Sequence, residues 1–122
     1  MFAEKRQFPR AEIPCKISTV FAERLLIFNA HTENLGVGGI KVILEEKLQV
    51  STEVDLELFL QDKERPLKCK GKISWVEELT PVGINPRFFD TGIEFIQIND
   101  YDKQEILKFV DMLLAKGQKD KT

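Results

Sequence analysis

A mainly β fold, a small six-stranded antiparallel β-barrel with a C-terminal α-helix, is what this chain predicts, and three observations carry it. Apolar and polar residues alternate in six or so short runs. The runs are closely spaced and broken by turn formers. Near the C-terminus the period changes once, from two to between three and four residues. With 122 residues, of which 43% are hydrophobic, the chain has enough apolar side chains for one core and one domain. The expected division is an N-terminal arm over 1–11, the barrel over 12–98, a helix over 99–116 and a flexible tail over 117–122.

The opening segment, Met1 to Arg10, has no alternation, and Pro9 biases Phe8 away from helical angles. It reads as an extended arm or a solvated basic terminus, with Arg6 and Arg10 free to approach one target from different directions. Ile13, Cys15 and Ile17 alternate with polar neighbours in a first strand from Glu12 to Phe21, where Pro14 suits an edge or a beginning. Arg24 to Glu33 reads as a second strand with both faces partly apolar. It leads into Asn34-Leu35-Gly36-Val37-Gly38-Gly39. Three glycines in four positions need a reason: a tight connection or bulge, or a surface where a polar ligand lies on bare backbone. Ile40, Val42 and Leu44 then begin a third strand.

Val54, Leu56, Leu58 and Leu60 alternate with Glu53, Asp55, Glu57 and Phe59 in a clear fourth strand, and Asp62 to Pro66 form a polar turn. The next run sets Cys69, Gly71, Ile73 and Trp75 on one face and Lys68, Lys70, Lys72 and Ser74 on the other. Such a lysine row suits a soluble face or a guarded edge. Thr80 to Pro86 reads as an exposed loop, and Thr91 to Ile98 resumes a strand. Ile106, Leu107, Val110, Leu113 and Leu114 recur at helical spacing, with Asn99, Asp100 or Asp102 as cap and Gly117 as stop. That face should close or flank the sheet.

The net charge of −2 and a pI near 5.5 argue against a general nucleic-acid or anionic-membrane binder, and no nucleic-acid partner is expected. No run of transmembrane length or signal peptide occurs, and Cys15 and Cys69 lack metal-ligand spacing, so a cytoplasmic protein with reduced thiols is expected. An enzyme is hard to build here. His31, the one histidine, has no nucleophile context, and no metalloprotease, phosphate-loop or dinucleotide fingerprint is present. No catalytic residue, metal or cofactor is expected, and non-enzymatic binding is the preferred class.

Arg6-Gln7-Phe8-Pro9-Arg10, the glycine stretch, Gly71-x-Ile73-x-Trp75 and Thr91-Gly92-Ile93-Glu94-Phe95, taken in order, make the chain resemble a stand-alone member of the PilZ domain family. Its members are receptors for the bacterial second messenger cyclic di-GMP. The resemblance runs from Lys5 to about Leu114. The arm matches the family's RxxxR motif, and Asn34 to Gly39 matches its [D/N]xSxxG motif with Gly36 in place of serine. The resemblance implies that Arg6 and Arg10 recognise phosphate oxygens and the guanine O6/N7 edge, chemistry that arginine performs in bidentate fashion. It implies that Asn34 meets a guanine edge and that Gly39 keeps the turn open. The hydroxyl missing at Gly36 should weaken the site while leaving its backbone N–H as a donor. Trp75 is either core or a stacking wall for a purine. Any output would pass through a protein effector, by a change in the arm. The alternative is a divergent domain of the same fold that binds no nucleotide and works as an interaction adaptor. A barrel binding single strands through Lys68, Lys70 and Lys72 is a third reading, disfavoured by the acidic balance.

Overall fold

The computed structural model describes residues 12–60 and 64–120, with side chains through Ala115 of the last helix. Six antiparallel strands, β1 (Pro14–Phe21), β2 (Arg24–Leu35), β3 (Gly39–Leu44), β4 (Glu53–Leu58), β5 (Leu67–Glu78) and β6 (Phe89–Gln97), precede one helix, α1 (Asp100–Asp120). The strands close into a barrel in the order β1-β2-β3-β6-β5-β4. The period-two pattern dictates this: Cys15, Ile17, Val42, Leu44, Val54, Leu56, Leu58 and Ile73 all point inward and are buried, while their neighbours in sequence face out. Closure leaves no free edge where the ladders are complete.

Buried hydroxyls are satisfied locally. Thr32 Oγ1 accepts from the Ile13 amide at 3.2 Å, and Thr91 Oγ1 donates to the Phe89 carbonyl at 3.1 Å. Pro14 begins β1, a position that tolerates a missing N–H, and its carbonyl accepts from Phe59 N–H at 3.0 Å.

Three expectations are corrected. Trp75 does not share the inward face of Cys69 and Ile73. The β5–β6 register steps from Ile73↔Ile93 to Trp75↔Gly92, a bulge at Ser74 that reverses parity, so Trp75 turns outward. The helix does not stop at Gly117 but runs to Asp120. A glycine ends a helix by taking a left-handed φ, and among the described residues the one glycine with positive φ is Gly83. Helix-forming Gln118 and Lys119 carry the turn through at a cost of about 1 kcal/mol. The buried stripe of α1 is also narrower than its apolar spacing. Ile106 and Val110 are buried and Phe109 and Leu113 pack beside them, whereas Leu107, Met112 and Leu114 are exposed.

The cap of α1 is Asn99. Its Oδ1 accepts from Asp102 N–H at 2.7 Å, and Asp100 and Asp102 place negative charge in the first turn, where the helix dipole favours it.

Candidate functional site

The glycine stretch is the corner between β2 and β3. The Gly36 N–H donates to the Gly39 carbonyl at 3.0 Å, and Phe95 N–H of β6 donates to the Gly38 carbonyl at 2.9 Å. The three glycines have different causes. At Gly39 a Cβ would collide with the Ile93 carbonyl oxygen, so the close approach of β6 requires glycine. At Gly38 nothing lies within 4 Å of where a Cβ would sit, leaving bare exposed backbone. Gly36 is buried, and its amide is engaged within the turn, so it is not the spare donor expected there.

The register assembles a face around this corner. Leu35, Ile40 and Val42 are buried, so Asn34 and Lys41 face out. Asn34 pairs with Lys41, Lys41 with Gly92, and Gly92 with Trp75. Asn34, Lys41, Gly92 and Trp75 thus form one row across four strands on the outside of the barrel, about 14 Å from end to end at the usual strand spacing. A Cβ on Gly92 would run into the Trp75 ring, which means that the indole lies over the Gly92 backbone. Trp75 is 41% exposed, so one side of the ring is seated on β6 and the remainder meets solvent. Ser74 Oγ, at the bulge, donates to the Gly92 carbonyl at 3.1 Å.

Lys41 stands at the centre of this row with two carboxylates. Its Nζ lies 3.2 Å from Asp90 Oδ2 and 3.9 Å from Glu33 Oε1. The side chain of Asp90 is only 13% exposed, and its Oδ1 is buried without a hydrogen-bond partner among the described residues. A buried carboxylate oxygen without a partner is costly, so the Lys41 ion pair is what holds Asp90 in place. On the next outward position, Gly39 pairs with Glu94, and Glu94 with Lys72. The described face therefore mixes cations and anions, with no excess of positive charge of its own.

Of the residues expected at the site, Asn34, Gly36, Gly39 and Trp75 are brought to one corner and one face. Arg6 and Arg10 lie outside the described residues. Sequence reasoning missed Lys41 and Asp90. The outward parity of Lys41 between Ile40 and Val42 was a usable signal; nothing local marked Asp90.

The lysine row of β5 is not a free basic stripe. Lys68, Lys70 and Lys72 stand opposite Glu57, Asp55 and Glu53 of β4, and Lys70 Nζ is 2.9 Å from Asp55 Oδ1. The Asp55 carboxylate, by hydrogen bond and by charge, raises the Lys70 pKa. Beyond β5, the loop at 79–88 is clamped at its base, where Arg87 makes a two-pronged pair with Glu78 at 2.7 and 2.9 Å. The guanidinium holds the Glu78 carboxyl below its ordinary pKa. The loop exposes Leu79, Val82 and Ile84, of which Leu79 and Ile84 line an open apolar groove of about 520 Å³ together with Ile43 and Phe88.

Cys15 and Cys69 are both buried as free thiols, and burial pushes each up to about 12. Among the described residues no group of three or more His, Cys, Asp or Glu side chains is placed to hold a metal ion. No described helix is long and apolar enough to cross a membrane.

The family model for the PilZ domain matches residues 4–112. No curated protein matches the sequence. Among solved structures, the inhibitor of motility MotI/DgrA of Bacillus subtilis is similar at 19% identity and a TM-score of 0.67, covering 92% of this chain and 52% of that one. The PilZ domain of YcgR from Escherichia coli, solved with c-di-GMP, is similar at 12% identity and a TM-score of 0.64, covering 95% and 96%. MrkH of K. pneumonia in its apo state is similar at 12% identity and a TM-score of 0.71, covering 98% and 54%. The chain thus spans about half the length of MotI/DgrA and MrkH and nearly all of the isolated YcgR domain. At these identities the likeness establishes the fold.

Proposed function

The chain belongs to the PilZ domain family, and on that premise we propose that it is a non-enzymatic receptor for cyclic di-GMP. The observation that carries the reading is the outward row Asn34–Lys41–Gly92–Trp75 beside the bare backbone of Gly38. A cyclic dinucleotide presents purine faces, guanine edges and two phosphates. The exposed side of the Trp75 ring suits a purine face, Asn34 a guanine edge, and the open backbone at Gly38 close approach of the sugar-phosphate ring.

The charge balance of the described face supports a part for the arm. A ligand with two negative phosphates needs cations, and the described face has Lys41 and Lys72 already opposed by Glu33, Asp90 and Glu94. Arg6 and Arg10 supply the missing positive charge and the bidentate donors for phosphate oxygens or guanine O6/N7. Hydrogen bonds to charged groups contribute about 1.5–3 kcal/mol each, so removing one arginine weakens binding roughly ten- to hundredfold. The absent hydroxyl at Gly36 matters less, roughly threefold to tenfold for a bond of 0.5–1.5 kcal/mol. In this reading binding changes the disposition of the arm and so alters a contact with a protein effector. Calorimetry with cyclic di-GMP at tens of micromolar protein tests this. Heat of binding that is lost in Arg10→Ala supports it; no heat, with Arg10→Ala behaving identically, sinks it.

A second reading is favoured by Gly36 together with the exposed apolar loop at 79–88. In it the domain binds no nucleotide and serves as an interaction adaptor. It expects Gly36→Ser to confer no binding of cyclic di-GMP, and a captured partner to be recovered equally with and without the nucleotide.

A further inference from the structure

The β1–β2 hairpin reaches beyond the barrel. β1 pairs with β4 only through Cys15 to Ser18, and β2 pairs with β3 only from Thr32 onward. Between Arg24 and His31, β2 is therefore laddered to β1 on one side and, among the described residues, to no strand on the other. Pro14, opposite His31, turns its carbonyl to Phe59, just past the end of β4. Along an antiparallel ladder the polar groups alternate in direction, so His31, Asn29, Ile27 and Leu25 point their N–H and C=O groups to the open side. No lysine, proline or bulge guards that stretch. The hairpin is also apolar outside: Val20, Phe21, Leu25 and Ile27 are 68%, 62%, 64% and 48% exposed. Long, unguarded, apolar edges recruit strands.

We propose that this edge is where the chain associates with a second copy of itself, β2 against β2, antiparallel across a two-fold axis at Ile27. The axis pairs Ile27 with Ile27 and Leu25 with Asn29, all residues whose polar groups face the open side, and it keeps the outward side chains on one face. Leu25 and Ile27 of both copies then form one apolar strip. The same register brings Glu23, at the turn, toward the exposed His31 of the other copy, opposing an acid to a base at each end. An isologous pairing of this kind closes at two copies and leaves no edge to propagate.

Sedimentation velocity on the full chain over a range from about 1 to about 100 µM, a span that covers ordinary weak-to-moderate dimers, tests the proposal. The expected result is a mass rising from 14.1 kDa toward twice that value. Ile27→Pro removes an N–H that β1 does not use, and Leu25→Lys places a charge in the strip while leaving every backbone bond intact; each should return the monomer. Under oxidation Ile27→Cys should cross-link, since two-fold partners at a hydrogen-bonded pair lie about 5.5 Å apart at Cα, whereas Asn29→Cys should not. A 14.1 kDa species at every concentration overturns the proposal. So does a dimer indifferent to both Ile27→Pro and Leu25→Lys, or one that cross-links through position 29 instead of 27.

Discussion

Replacing Gly92 by alanine puts a methyl where the Trp75 indole lies. The neighbour that must give way is a side chain, so the outcome is a displaced ring with the barrel retained. Trp75 is 41% exposed. With about three-fifths of a side chain of ~250 Å² against the barrel, its seat is worth roughly 3–4 kcal/mol at ~25 cal/mol per Å², as an upper bound. Tilting the ring enough to clear a methyl forfeits about half of that contact, or roughly 2 kcal/mol. Alanine in a strand returns about 0.5–1 kcal/mol through the lower entropy of its unfolded chain. The net expectation is a loss of about 1 kcal/mol in urea unfolding. Trp75 is the single tryptophan, so its emission should shift to the red as the ring gains solvent, with far-UV circular dichroism unchanged. Wild-type stability and an unmoved emission maximum in Gly92→Ala would refute the seating of the indole on β6.

Three further expectations rest on particular contacts. Gly39→Ala meets backbone, the Ile93 carbonyl, and should cost about 3 kcal/mol in urea melts, while Gly38→Ala, with open space around it, should stay within about 0.5 kcal/mol of wild type. Gly36→Ser should tighten binding of cyclic di-GMP in calorimetry by roughly threefold to tenfold if the serine hydroxyl of the family motif acts on the ligand. Cys15 and Cys69 should resist thiol reagents in the folded protein and react on unfolding. Their folded pKa values, about 12, lie above the ordinary 9.0. The unfolded chain therefore releases these protons first, and stability is intact below pH 9 and falls as pH rises toward 12, by up to about 1.4 kcal/mol per pH unit for each thiol. Urea melts of Cys15→Ala and wild type across that range should converge as pH rises; a constant gap contradicts the assignment.

The barrel was legible because closure demands little more than alternation, and Ile17, Val42, Leu56 and Ile73 all kept the parity read from their neighbours. Parity failed where the ladder skipped a residue. The bulge at Ser74 leaves no mark in Lys72-Ile73-Ser74-Trp75, since each residue there is an ordinary strand former, and only the pairing with Gly92 reverses Trp75. The helix stripe was misjudged for a related reason. Leu107 and Leu114 fit the same helical periodicity as Ile106 and Val110, and which of them turns inward depends on how α1 meets the barrel. At the site, the glycine corner was visible as a cluster of glycines, but its individual causes were not. The demand at Gly39 comes from Ile93, more than fifty positions along the chain. The ion pair of Lys41 with Asp90 also joins residues far apart in sequence and needed the β3–β6 register to appear. The lysine row, suggestive by itself, lost its basic character once β4 set a carboxylate opposite each member.

The central claim, that the outward row on β2, β3, β6 and β5 is a nucleotide face, is tested most directly by titrating the protein with cyclic di-GMP while following the fluorescence of Trp75. Because that residue is the chain's single tryptophan, a purine stacking on its exposed side must change its emission. The account predicts saturable quenching at micromolar nucleotide that is weakened roughly tenfold or more in Arg10→Ala and not reproduced by GMP at the same concentration. Emission that stays constant to millimolar cyclic di-GMP, with no heat in parallel calorimetry, would contradict it.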